Sequence, residues 1–206
     1  MIDRRVALVR GINNIGKAKR IAMADLRTLF EGLGYRDVRT LLNSGNVVFT
    51  VVKKSAGDNA ARIERAIEDR LGVTTRVTVL MGRVVAEAVR ENPLGSVADN
   101  PSRLLLMALR DSKAMAQLKS LLKERWTPES LALGKRFAYL WCARGVAKSR
   151  LWAAANRVVR DSGTSRNLAT MTKLLALVEE SYNREGRGGR SSGLQARKFV
   201  RQRSKS

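Results

Sequence analysis

The sequence predicts an α+β protein made of two successive units of antiparallel strands and helices, and three observations support this fold class. Apolar residues recur at three- and four-residue steps in the longer segments, a period typical of amphipathic helices. Shorter apolar runs bounded by Gly, Asn and Ser are typical of strands. The segments follow the order β-α-β-β-α-β, and the second half of the chain nearly repeats it. This is the order of the ferredoxin-like unit.

The first half supplies one complete unit. Gly34 is suited to end the first helix in a left-handed conformation, and Asp58 is placed to cap the second. The residues 43–45 (Asn-Ser-Gly) favour a tight turn between two strands. In order, the sequence predicts a strand over 4–10, a helix over 23–34, strands over 38–42 and 46–52, a helix over 59–71 and a strand over 75–80.

The second half is predicted to open with one helix and to close with two. Asp111 and Asn167 are suitable N-caps, and the apolar face of the helix after Asp111 is predicted to be Met115, Leu118, Leu121 and Leu122. The predicted segments are a helix over 83–91, a strand over 102–109, the helix after Asp111, a hairpin over 130–133 and 137–142 about Gly134, and helices over 147–160 and 168–182.

We expect the halves to be residues 1–81 and 82–182, followed by a flexible basic tail over 183–206 that is rich in Gly, Ser and Arg. No apolar run is long enough to span a bilayer, and the apolar stretch near the N-terminus is too short for a signal peptide. Together with a single cysteine, these features predict a cytoplasmic protein with no membrane partner.

The chain has no histidine and one cysteine, Cys142, which excludes several kinds of site. Ser-His and Cys-His nucleophile pairs cannot form, and a zinc site of the usual kind lacks its ligands. A Mg²⁺ or Ca²⁺ site built from carboxylates stays open. The sequence contains no catalytic signature and predicts no cofactor and no metal, so whether the protein is an enzyme is undecided.

The formal net charge of +22 is unevenly distributed. Residues 1–54 carry 11 basic and 4 acidic side chains and residues 183–206 carry 8 and 1, whereas residues 55–100 carry 6 and 7. Basic surface attracts polyanions by releasing their counterions, so nucleic acid is a candidate partner. Because 28 of the 40 basic residues are arginine, the codon bias of a GC-rich genome is an equally good explanation.

The loop after the first strand, Gly11 to Lys17 (GINNIGK), matches the G-x-x-x-x-G-K pattern of a phosphate-binding loop. Two features argue against a nucleoside triphosphatase. Ala18 stands where Ser or Thr would hold Mg²⁺, and the predicted sheet is antiparallel. A structural loop is favoured, and an anion-binding loop that uses backbone N–H groups with Lys17, Lys19 and Arg20 is the alternative.

Other polar positions have two interpretations each. Ser44 in its turn, next to Asn46, could be a nucleophile only with a base, so the turn role is favoured. Arg166 and Asn167 precede the last predicted helix, which carries Lys173, and the start of a helix is suited to anions; Asn167 is equally a simple cap. Lys148 begins another predicted helix and belongs either to a solvated helix start or to the same basic surface.

Tyr139 and Trp141 alternate on one face of a predicted strand. Paired aromatics on an open sheet can stack on bases, but aromatic residues at such spacing are more often core. We therefore expect both side chains in the core.

The chain resembles the family known as domain of unknown function 1697. The resemblance covers about residues 4–178 and implies an α+β fold of two ferredoxin-like halves, and it implies no activity because none is established for the family. The chain departs from the family at residues 14–16 (Asn-Ile-Gly for Val-Gly-Gly) and at Leu168, where the family has tryptophan. The matching blocks are 6–13 (VALVRGIN) with Gly16-Lys17, 23–27 (MADLR), 37–40 (DVRT), 44–49 (SGNVVF), 92–93 (NP), 148–151 (KSRL), 166–167 (RN) and 172–174 (TKL).

The leading hypothesis is a non-enzymatic or weakly catalytic protein that binds an anionic ligand, with nucleic acid as the first candidate. One alternative is an enzyme for a small molecule or phosphate ester that uses the loop over 10–17. Another is a scaffold for a protein partner, since sheet edges can pair. The candidate ligand-binding residues are Arg10, Gly11, Asn13, Gly16, Lys17, Ser44, Asn46, Lys148, Arg166, Asn167 and Lys173.

Overall fold

The first half folds into a four-stranded sheet with two helices, as its sequence predicts. The structure is a computed structural model that describes residues 3–13, 20–52 and 58–180. The strands lie in the order β2-β3-β1-β4, and each neighbouring pair is antiparallel. The elements are β1 (Asp3–Val9), α1 (Met23–Gly32), β2 (Arg36–Leu41), β3 (Asn46–Val51), α2 (Asn59–Leu71) and β4 (Val77–Met81).

The second half repeats the same arrangement after a connecting helix. Its sheet has the order β6-β7-β5-β8 and is again antiparallel. The elements are α3 (Gly82–Arg90), β5 (Leu104–Leu109), α4 (Ser112–Leu118), β6 (Ser130–Leu133), β7 (Phe137–Trp141), α5 (Arg150–Val159), β8 (Gly163–Asn167) and α6 (residues 168–180). The α+β class with two ferredoxin-like halves and C-terminal helices is therefore confirmed, while the tail over 183–206 lies outside the described residues and the division after residue 81 stays a prediction.

The predicted N-cap side chains begin their helices, and the predicted glycine follows the end of α1. Asp58 accepts a hydrogen bond from the backbone N–H of Ala60 at 2.8 Å. Asp111 and Asn167 do the same for α4 and α6, at 2.7 Å and 2.9 Å. Gly34, just beyond α1, has a φ of +81°. Each predicted cap thus satisfies a backbone group that a helix end leaves without a partner.

Three predictions for the second half are wrong. The sequence indicated no strand between the last two helices, yet residues 163–167 form β8 on the edge of the sheet. The helix predicted from 147 begins at Arg150, because Val146–Lys148 is a 3₁₀ turn. Leu122 is 50% exposed rather than inward, because the helix tightens to 3₁₀ over Lys119–Lys123 and so shifts the phase of its apolar face.

The two sheets share a core. One apolar cluster packs α1 and α2 on the outer face of the first sheet, and a second packs α4 and α5 on the outer face of the other. The third cluster joins the inner faces of both sheets with α3 and α6. Tyr139 and Trp141 belong to this shared core and are 4% and 6% exposed, as predicted for core residues.

Candidate functional site

A cleft of about 540 Å³ lies where the end of β1 in the first half meets β8 and α5 in the second. We call it the interface cleft. The first half contributes Arg10, Gly11 and Ser44 to its wall, and the second contributes Arg166 and Asn167 among others. Five of the predicted candidate residues, from three distant parts of the sequence, therefore line one cleft.

Arg166 reaches from β8 across to the first half. Its guanidinium donates to the backbone carbonyls of Val9 at 2.9 Å and Ser44 at 2.7 Å, and also to the side-chain oxygen of Asn46. A further bond goes to the carbonyl of Ser165 at 2.7 Å. All of these acceptors are uncharged, and among the described residues no carboxylate forms an ion pair with Arg166. The positive charge of Arg166 is therefore surrounded by neutral hydrogen-bond acceptors and has no counter-ion among the described residues.

Arg10 reaches in the opposite direction. Its guanidinium donates to the backbone carbonyl of Gly163 and, at 3.0 Å, to the side-chain oxygen of Asn156 on α5. The carboxylate of Asp161 lies 3.6 Å away, but the Asp161 side chain is 76% exposed. An ion pair with so exposed a partner is weak, so Arg10 keeps much of its positive field toward the cleft.

The charges of the two arginines act on each other. Burial and, to a smaller extent, the positive charge of Arg10 together lower the pKa of Arg166 from its ordinary value to about 10. Desolvation and a neighbouring like charge both disfavour the protonated form of a base. The site therefore has two cations whose mutual repulsion and burial an anion would relieve.

The start of α6 adds to this positive field. Asn167 ends β8 and caps α6 through Thr170, and both residues line the cleft. The amino terminus of a helix carries a partial positive charge, which favours anions. The sequence-based interpretations of Asn167 as a cap and as a cleft residue are thus compatible.

The remaining candidate residues are placed less centrally. Asn13 forms hydrogen bonds with the backbone of Ile21 and Asn43, so it holds the segment before α1 and the β2–β3 turn next to the end of β1. Asn46 does not line the cleft itself, but it accepts a hydrogen bond from Arg166 and donates one to Ser44 at 2.9 Å. Lys148 borders a separate depression of about 150 Å³. Lys173 is exposed on α6 and does not line the interface cleft, and Gly16 and Lys17 lie outside the described residues, as does most of the phosphate-loop pattern.

Some cleft residues were not found from the sequence. Trp152 and Asn156, one turn apart on α5, line the cleft together with Thr164 and Ser165 of β8. A polar residue within an amphipathic helix, such as Asn156, is only a weak indication of a binding site. β8 has no alternating pattern of apolar residues from which a strand could be predicted. Only the packing of the two halves brings these residues to Arg10.

Each half makes an equivalent arginine contact with the other half, so the interface cleft can be compared with the corresponding region on the opposite side of the molecule. Arg110 follows β5 as Arg10 follows β1, and it donates to the carbonyl of Val77, the first residue of β4, at 3.0 Å. Arg10 donates to Gly163, the first residue of β8. Thr78 and Thr164 meet at 3.2 Å between these contacts. Such reciprocity is the mark of an approximate two-fold relation between the halves.

A second cleft of about 250 Å³ occupies the equivalent position on the other side, beside Arg110. There Arg110 forms an ion pair with the partly buried carboxylate of Glu64 on α2, whereas the partner of Arg10 on α5 is the amide of Asn156. The strand registers make Leu80 the counterpart of Arg166. Arg110 therefore has a partly buried counter-ion, and in the first half an apolar residue stands at the position of Arg166.

Metal and membrane features are limited. Within the described ranges no group of three or more His, Cys, Asp or Glu side chains could hold a metal ion. No helix in these ranges has the length and apolar character needed to cross a bilayer.

Fold and site together define an α+β protein with two ferredoxin-like halves and a basic cleft between them. The chain belongs to the family described as "Protein of unknown function (DUF1697)", whose family model matches residues 2–139. This match ends before β8, so Arg166 and Asn167 lie beyond it.

A solved structure shares the fold. The conserved bacterial protein SP0830 from Streptococcus pneumoniae superimposes with a TM-score of 0.62 and 22% sequence identity, over 86% of this chain and 99% of that one. At this level of identity the likeness shows the fold alone. The comparison with curated proteins gave no match.

Proposed function

We propose that this protein binds a small anionic ligand in the interface cleft, through Arg10 and Arg166. The observation that carries the proposal is the state of Arg166: its enclosed guanidinium has only neutral acceptors, and its pKa is lowered by burial and by Arg10. Taking a charge out of water without a counter-ion costs several kcal/mol, roughly, unless a partner compensates it. A bound anion would supply the counter-ion that offsets the cost of burying this charge.

The fold does not require this arrangement. The half that lacks it reaches the same strand order with Leu80 and Phe137 at the counterparts of Arg166 and Asn46. Both apolar residues are buried in the shared core. Since buried ion and polar pairs are often no more stabilising than apolar residues, the Arg166–Asn46 pair is better explained by ligand binding than by stability.

The dimensions of the cleft favour a small molecule. A volume of about 540 Å³ lies within the range of ordinary ligand sites. Hydroxyl and amide groups of the wall can orient such a ligand, while Arg10, Arg166 and the start of α6 supply the attraction. A phosphate or carboxylate group suits these donors, because guanidinium groups bind both.

The proposal is tested by comparing Arg10→Gln with Arg110→Gln. These are equivalent positions in the two halves, so each variant loses one arginine and its two hydrogen-bond partners in the other half. We expect isothermal titration with ribose 5-phosphate to show an affinity at least about tenfold lower for Arg10→Gln, the range of a charged hydrogen bond, and little change for Arg110→Gln. No binding by the parent protein, or equal losses in both variants, would contradict the proposal.

A second experiment tests nucleic acid, which is the partner that the net charge predicts. The buried Tyr139 and Trp141 offer no stacking surface, so the sheet gives this partner no support. Binding of mixed-sequence DNA and RNA oligonucleotides is measured at two salt concentrations, where electrostatic binding weakens steeply as salt rises. Salt-dependent binding that is unaffected by Arg10→Gln would assign nucleic acid to the basic surface instead of the cleft.

The other two functions stay as alternatives. An enzyme that uses the 10–17 loop depends on Lys17, and Lys17→Ala would then abolish turnover of a phosphate ester while Arg10→Gln only weakens binding. A scaffold for protein partners would show itself as an assembly larger than a monomer in size-exclusion chromatography with light scattering.

A further inference from the structure

We propose that the anionic ligand of the interface cleft carries a flat ring that stacks on Trp152, so that its chemical class is a nucleoside monophosphate. This inference rests on the proposed function and adds the part of the ligand that the arginines do not hold. Trp152 lies on α5, is half-buried, and lines the cleft one helical turn before Asn156, the acceptor of Arg10.

Trp152 differs from the other two tryptophans in what holds it. The indole N–H of Trp126 donates to the carbonyl of Leu121 at 2.8 Å, and Trp141 is buried in the shared core. The indole of Trp152 packs at the edge of the outer core of the second half, and no described residue accepts its N–H. Because Trp152 is only half-buried and lines the cleft, part of its aromatic surface is available to a ligand beside the arginines.

The comparison between the halves indicates that the fold does not need an aromatic ring here. Ala60 precedes Glu64 on α2 as Trp152 precedes Asn156 on α5, and Ala60 borders the second cleft. Both helices still pack on their sheets. The large side chain thus lies beside Arg10, whose partner on the helix is an amide, and not beside Arg110, whose partner is a carboxylate. This placement couples the ring surface to the anion site.

The remaining wall suits the polar edges of a nucleoside. Ser102, Thr164 and Thr170 contribute hydroxyl groups and Asn167 contributes an amide, while Leu105 and Val146 are apolar. The hydroxyl oxygen of Ser165 is buried without a hydrogen-bond partner among the described residues. Sugar hydroxyls and base edges form hydrogen bonds with groups of this kind, and the volume of about 540 Å³ accommodates a ligand of this size.

The test compares the four common nucleoside 5′-monophosphates with ribose 5-phosphate, which has the phosphate and the sugar but no ring. Isothermal titration should show at least one nucleotide binding roughly 5- to 150-fold tighter than ribose 5-phosphate, the range expected from stacking of one base on an aromatic side chain. Trp152→Leu should remove this preference and leave the affinity for ribose 5-phosphate within about twofold. Trp152→Phe, which keeps a ring and packs similarly, should retain part of it.

The outcomes separate this inference from the proposed function. Nucleotides that bind no tighter than ribose 5-phosphate, or a preference that survives Trp152→Leu, would overturn the stacking role while the anion site stands. Absence of binding by ribose 5-phosphate and by all four nucleotides would overturn both. A preference for nucleotides that is lost in Trp152→Leu and kept in part in Trp152→Phe supports the inference.

Discussion

Arg166 illustrates how a single buried cation can indicate a function. Because its pKa falls to about 10 in the folded protein, the folded state holds this proton less tightly than the unfolded chain does. The charged side chain therefore lowers the stability of the fold below about pH 10, and this cost fades as the pH rises from there toward the unfolded pKa of Arg166. Binding an anion would oppose the same cost at neutral pH.

Asn13 is the residue on which the local structure beside the cleft depends most clearly. Its amide donates to the carbonyls of Ile21 and Asn43 and accepts from the N–H of Ile21, each at 2.8 Å. Its φ of +55° is one that asparagine tolerates better than most residues. We expect Asn13→Ala to lower the free energy of unfolding by about 2–3 kcal/mol, from three lost hydrogen bonds of about 1 kcal/mol each.

Urea denaturation measures this loss, and Asn13→Asp provides the matched comparison. Aspartate keeps the acceptor for the N–H of Ile21 but turns a carboxylate oxygen toward the two carbonyl oxygens, which repel it, so its loss should be at least as large as that of alanine. An alanine variant within about 0.5 kcal/mol of the parent protein would show that the three bonds contribute little, as surface substitutions usually do.

At the residue scale the sequence predicted the charged half of the site and missed the rest. Arg10, Gly11 and Ser44 were found because glycine, turn residues and arginine next to strand ends are local signals. Trp152 and Asn156 were missed because their role depends on the position of α5 against the other half, and nothing local encodes that position. The contacts between Arg10 and Asn156 span 146 residues of sequence.

At the element scale, periodicity and caps were sufficient wherever a strand or helix carried its own pattern. β8 had no such pattern, because its Gly163 and Thr164 are fully buried and Ser165, Arg166 and Asn167 are all partly buried, so burial does not alternate along the strand. It is a strand because β5 offers it a free edge, with five residue pairs in register. Tertiary pairing of this kind overrides local propensity, and no reading of single residues would recover it.

The cap of α2 gives a prediction at this scale. Asp58 accepts from the N–H of Ala60, and its removal leaves that group without its partner. We expect Asp58→Ala to destabilise the protein by about 1 kcal/mol, which lowers the melting temperature by roughly 2–4 °C for a chain of this size. Thermal unfolding followed by circular dichroism measures the shift.

Asp69→Ala is the control for the cap. Asp69 lies exposed in the last turn of the same helix, where a negative charge is unfavourable because of the helix dipole. Its replacement should leave the melting temperature unchanged or raise it slightly. Equal decreases in the two variants would mean that loss of an aspartate, rather than loss of the cap, is responsible.

At the scale of the whole molecule, the two halves are similar in topology but unequal in chemistry. They share a strand order and reciprocal arginine contacts, but of the two clefts only the interface cleft is lined by Arg166 and by a tryptophan. The topology followed from hydrophobic patterning, which both halves carry. The chemical difference between the halves depends on a few equivalent positions, such as Arg166 against Leu80 and Asn156 against Glu64. These positions can be recognised only by comparing the two halves in the structure.

The shared core gives the last prediction, that the halves unfold together. Residues of both sheets, among them Val6 and Leu8 from β1 and Leu104 and Leu106 from β5, belong to one buried cluster. Separating the halves would expose this apolar surface to water, at about 25 cal/mol per Å². We therefore expect one cooperative transition in urea, although each half has the topology of a complete domain.

The distribution of tryptophan makes this cooperativity measurable. All three tryptophans, Trp126, Trp141 and Trp152, lie in the second half, so their fluorescence reports that half alone, whereas far-ultraviolet circular dichroism reports both. Leu29 is buried in the outer core of the first half, in a cluster that contains no residue of the second. Leu29→Ala should cost about 2–5 kcal/mol, and with coupled halves the fluorescence transition should move to lower urea by the same amount as the dichroism transition. A fluorescence transition that stays where it is in the parent protein, while the dichroism signal splits into two steps, would show instead that the halves unfold independently and that the interface cleft is formed by two separately stable domains.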